Sequence, residues 1–87
     1  MTMTLLRELP SIDRAASEEA WEWLQESAPI WADAVAEEVR AGATPEVIYQ
    51  GVLRRVGGHR EALAVRCKLA AMHLVTEREA ERQPVGR

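Results

Sequence analysis

The stretch Glu61-Ala-Leu-Ala-Val-Arg-Cys-Lys-Leu-Ala-Ala-Met-His-Leu-Val75 is the most apolar window of the chain, and its periodicity decides the fold. At ~100° per residue, Leu63, Cys67, Ala70 and Leu74 form one apolar strip of a helix, and Ala62, Val65, Leu69 and Met72 form a second. A surface helix needs one strip, so two predict neighbours on two sides. His59, Arg66, His73 and Glu77 fall on one line between the strips. A helix over 59–82 is therefore expected at the centre of the fold.

Outward from this stretch the signals stay helical. Thr44-Pro45-Glu46 combines a capping hydroxyl, a proline at the first helical position and an acid in the first turn, and Ile48, Tyr49, Val52, Leu53 and Val56 then share one apolar arc. Gly57-Gly58 closes this helix, expected over 45–56. Gly51 inside it costs ~1 kcal/mol relative to alanine, which is tolerable if another helix passes close to that backbone. Gly42 supplies a left-handed stop for the preceding helix, over 28–41.

Pro29 predicts a break or sharp kink at Ser27–Pro29, because a proline costs ~3 kcal/mol or more inside a helix and almost nothing in its first turn. Ser27 is then the expected cap, and Ser11, Asp13 and Ser17 are candidate caps for a first helix over 13–27. Residues 1–10 read as an arm laying Leu5, Leu6 and Leu9 on the bundle, and 83–87 as a frayed tail. Short connections turn successive helices back on one another. The expectation is a single all-α domain, a small up-and-down bundle of about four helices with the last at its centre.

Composition narrows the function classes. With 87 residues the core is small, and oligomerisation, a homodimer above all, is a common remedy. No apolar run approaches the ~20 residues that span a bilayer. The N-terminus lacks a secretory pattern and Cys67 is the only cysteine, so a cytoplasmic setting is expected. Residues 1–50 carry three arginines against ten acids, net -7, and residues 51–87 carry eight bases against four acids, net +4. Such a dipole packs one half on the other or steers a partner of opposite charge.

No catalytic set is legible. His59 and His73 stand fourteen residues apart, ~21 Å along a helix, and no paired-cysteine or His-Glu-x-x-His pattern is present, so neither metal nor cofactor is expected. The serines stand at expected helix starts, outside any Gly-x-Ser-x-Gly elbow. Arg66, placed between apolar strips, calls for a carboxylate, with Glu38 the best match; His73 is expected to pair with Glu77 one turn on. These four read as buried structural pairs.

Two surfaces suggest partners. If the first two helices ran on as one, Trp23 and Ile30 would form an exposed apolar patch rimmed by Asp33 and Glu37, the make-up of a protein-docking site. Arg54, Arg55, His59 and Arg60 surround the Gly57-Gly58 amides and could meet an anion or nucleic acid. The leading expectation is a non-enzymatic helical module that docks on another protein as a regulator, adaptor or inhibitor. Nucleic-acid binding through the basic half is the alternative.

Overall fold

Pro29, Gly42 and Gly57 cut the chain into its helices. A computed structural model describes the backbone over residues 2–82 and side-chain surroundings over 14–81. In chain order it has α1 (Thr2–Ser27), α2 (Pro29–Arg40), α3 (Pro45–Val56), a 3-10 turn (Gly58–Arg60) and α4 (Glu61–Arg82). The expected all-α bundle is what forms.

Each boundary has a local cause. Ala28, with φ -145° and ψ 63°, leaves the helical region between α1 and α2, and Pro29 opens α2 where its missing N–H costs least. The break is one residue long. The Ala28 amide still donates to the Leu24 carbonyl at 2.8 Å, while the Ala28 carbonyl already accepts from Trp31 and Ala32. Ser27 is not the cap: that position belongs to Ala28, which offers no side-chain acceptor. Ser17 is no cap either, since it lies within α1, buried, its hydroxyl donating to the Arg14 carbonyl at 2.9 Å.

α2 ends in a Schellman motif. The Ala43 amide reaches back to the Glu38 carbonyl at 2.9 Å and the Gly42 amide to Val39 at 3.0 Å, with Gly42 at φ +99°. Thr44 then caps α3 as expected, its hydroxyl accepting from the Val47 amide at 3.2 Å. Gly57, at φ +83°, ends α3 with its amide on the Leu53 carbonyl at 2.8 Å.

Helix α1 begins eleven residues earlier than expected, at Thr2, and continues through Pro10. The segment read as an arm is helix, although proline leaves the Leu6 carbonyl without its usual donor. The contacts expected of Leu5, Leu6 and Leu9, the caps Ser11 and Asp13, and the tail over 83–87 lie outside the described residues.

Helix α4 packs against all three other helices, whereas among the described residues the α1 and α3 backbones make no close approach. The expected central position is therefore correct, but the means differ. Leu63, Cys67 and Ala70 of the first strip are buried. Of the second strip, Val65 is 40% exposed, and Ala62 is exposed as well. What widens the buried arc is Ala64 and Ala71, both fully buried and both outside the two strips. Methyl side chains there let neighbouring helices come close to the α4 backbone.

Leu24 of α1 and Val35 of α2 join this core with no more than 1% exposure. Truncating Leu24 to alanine would cost about 2–5 kcal/mol. At the periphery, the Tyr49 hydroxyl donates to Glu61 Oε2 at 2.8 Å and Lys68 Nζ meets Glu46 Oε1 at 3.2 Å, tying α3 to α4. The first bond pushes the Tyr49 pKa up, because the carboxylate holds the phenol proton; the hydrogen bond from Lys68 is the main cause that lowers Glu46.

Candidate functional site

Trp23 lies on α1 immediately before the buried Leu24, so it cannot share the core direction and turns along the flank of α4. It keeps 36% of its surface exposed. The guanidinium carbon of Arg66 stands 4.1 Å from the centre of its ring, a cation–π stack. His59, Arg60, Ala62 and Leu63 complete the cleft around this pair. A second cleft shares Ala62 and Arg66 and runs on between α1 and α4 past Ala20, Val65 and Leu69. The two make one surface with an aromatic anchor, an aliphatic floor and three cationic or titratable bases, His59, Arg60 and Arg66, beside it.

Arg66 thus has a different partner from the one expected. Among the described residues no carboxylate lies within 4.0 Å of it. Glu38 stands exposed on α2 and lines the groove between α2 and α3. The reason is desolvation: at the helix flank Arg66 keeps access to water, and the ring face gives a weakly hydrated cation a partner without burying a second charge. His73 is half-buried and Glu77 exposed, and among the described residues they form neither a hydrogen bond nor an ion pair.

The expected patch of Trp23, Ile30, Asp33 and Glu37 required an uninterrupted helix. The break at Ala28 removes that condition. Trp23 lines its cleft with residues of the 3-10 turn and α4, while Ile30, Asp33 and Glu37 are exposed on α2. Among the described residues Ile30 is the most open large apolar side chain, at 81%, and Glu37 is engaged by Arg40 at 3.5 Å.

The basic set is also divided. His59 and Arg60 line the Trp23 cleft, Arg55 lines the α2–α3 groove, and Arg54 is exposed in the last turn of α3, where cations complement the helix dipole. Of the two glycine amides, that of Gly57 is taken. Gly57 donates to Leu53, and its own carbonyl accepts from the Arg60 amide at 3.2 Å.

The α2–α3 groove is the other recessed surface of note. Trp31 and Val35 wall it on one side and Ile48 and Val52 on the other, with Gly51 at its edge. Among the described residues no atom beyond its own stretch of α3 lies within 4 Å of where a Gly51 Cβ would stand, so no other helix passes close to that backbone there. Val47, on the same edge, is 57% exposed.

Cys67 is fully buried, and burial pushes its thiol up from 9.0 to about 11, away from nucleophilic chemistry. Among the described residues no three His, Cys, Asp or Glu side chains gather as a metal site would require. The exposure of Val65 escapes sequence reading, because periodicity assigns it to an apolar strip. Comparison with protein-family models, curated proteins and solved structures finds no match to any of them.

Proposed function

We propose that this chain is a non-enzymatic docking module that acts as a regulator, adaptor or inhibitor by seating another protein on its α1–α4 face. The observation that carries the reading is Trp23, open to water over 36% of its surface with Arg66 stacked 4.1 Å from its ring. Tryptophan and arginine dominate binding energy at protein interfaces, because each offers a large rigid contact area with a polar handle. Val65, 40% exposed, extends the apolar contact, and His59, Arg60 and Arg66 favour a partner whose apolar anchor is bordered by acids. Among the described residues no helix is long and apolar enough to cross a membrane, and a free Cys67 suits a reducing cytoplasm.

The test is affinity capture from the source cell with paired variants. Val65→Asp and Arg66→Glu are expected to lose a partner that Asp33→Lys, on the exposed side of α2, retains. Equal capture by all three removes the α1–α4 face from consideration.

The same cleft favours a second reading, because His59 and Arg60 flank an aromatic ring as in stacking platforms for single-stranded nucleic acid. Binding of an oligonucleotide that weakens steeply with salt and disappears with Trp23→Ala supports it; no binding at low salt removes it.

A further inference from the structure

The α2–α3 groove lies on a different face from the Trp23 cleft, and its chemistry is self-complementary. On α2, Ile30, Ala34 and Glu38 follow one another at four-residue spacing, and on α3 so do Val47, Gly51 and Arg55. Each row therefore runs ~12 Å along one helix edge, from a large apolar residue through a small one to a charge. Ala34, Glu38, Val47, Gly51 and Arg55 all line the groove, and Ile30 continues its α2 edge.

The two helices are joined by the short turn over 41–44 and run back on one another, so the rows are opposed. Glu38 sits at the turn end and Arg55 at the far end. Neither has an ion-pair partner among the described residues.

We propose that this face binds a second copy of the chain about a two-fold axis lying in the face and crossing the groove near Ala34 and Gly51. Such an axis exchanges the two ends of the groove. Glu38 of each copy then comes to the same end of the groove as Arg55 of the other, facing it across the groove within reach of the two long side chains, and the two contacts are equivalent by symmetry. The small residues fall at the middle of each row, where the paired helices pass closest. This accounts for Gly51, which lowers helix stability by ~1 kcal/mol relative to alanine and which none of the described residues of its own chain requires. It also covers Ile30 and Val47, exposed by 81% and 57% in the single chain. Charge complementarity selects this occupant: an unrelated helix has no reason to carry the reversed pair at the same separation, whereas a second copy carries it by construction.

Sedimentation equilibrium on the full chain tests the proposal, with circular dichroism confirming that each variant stays helical. The wild type is expected at twice the 9.7 kDa chain mass at high micromolar concentration. Glu38→Arg alone, or Arg55→Glu alone, brings like charges together at both contacts and weakens self-association by at least about tenfold. An equimolar mixture of these two variants restores the dimer, because each supplies the charge the other now needs. The chain carrying both substitutions pairs with itself as well. Gly51→Leu abolishes association by filling the middle of the face while leaving room within its own chain; if it fails to fold, the charge mixture alone decides.

A wild type that remains monomeric at these concentrations overturns the proposal. So does a dimer that either charge reversal leaves intact, or single-variant losses that mixing does not repair. None of these results bears on the α1–α4 face, whose test uses other residues and another readout.

Discussion

Arg78 Nη1 donates to the Val39 carbonyl at 2.7 Å, so a side chain near the end of α4 holds the last turn of α2 from across the bundle. The Val39 carbonyl already accepts from the Gly42 amide and lies at the negative end of α2, so the guanidinium adds a second, charge-assisted donor and a counter-charge. Arg78→Ala is expected to lower unfolding free energy by about 1–2 kcal/mol, and Arg78→Lys by less, in urea titrations followed by circular dichroism. An unchanged midpoint for the alanine variant would mean that water replaces the bond without loss.

Ala71 is fully buried where α4 meets its neighbours. Ala71→Leu adds apolar surface to a position with no room for it, so it is expected to destabilise by about 1–3 kcal/mol despite the greater hydrophobicity. Val65→Ala, on the open flank of the same helix, is expected to change stability by less than about 1 kcal/mol. Thermal unfolding of the two variants side by side checks the assignment of buried and open arcs.

Trp23 and Arg66 are each partly open to water, so their stack sits in the modest range of such contacts. A double-mutant cycle with Trp23→Ala and Arg66→Ala is expected to give a coupling of about 0.5–1 kcal/mol. Additivity within experimental error would show that the two groups are adjacent without attraction.

The buried Cys67 thiol has a pKa raised from 9.0 to about 11 by burial. Between those values the unfolded chain loses the thiol proton while the folded chain keeps it. The unfolded state then binds fewer protons, and this contribution to stability is full below pH 9 and falls as pH rises toward 11. Cys67→Ala is expected to flatten the alkaline fall in denaturation midpoint. At neutral pH an aromatic disulfide reagent should label the wild type only in denaturant; rapid labelling of the folded protein would show the thiol to be reachable.

What the sequence made legible is the set of signals that act within a few residues. Thr44 and Pro45, Gly42, Gly57 and the stop before Pro29 each do locally what their chemistry predicts. The central role of α4 was legible too, because hydrophobic density does not depend on which neighbour satisfies it. The direction of burial was not. Periodicity weighted Val65 and Leu69 above Ala64 and Ala71, yet close helix packing selects small residues, so the alanines lie inside and Val65 on the rim. Arg66 was placed between two apolar strips, one of which is open in part, and given the wrong partner, since a wheel drawn for one helix cannot show that the α1 indole is nearer than the α2 carboxylate. The placing of Glu38 and Arg55 along one groove depends on two helices at once and has no local signature.

Because α4 is the surface on which α1, α2 and α3 all settle, the order of synthesis matters. A ribosome delivers the three outer helices before α4, so until it emerges each lacks the face it packs on most. Fragments that stop before Leu63 are without that common seat, and they are expected to stay open to proteases.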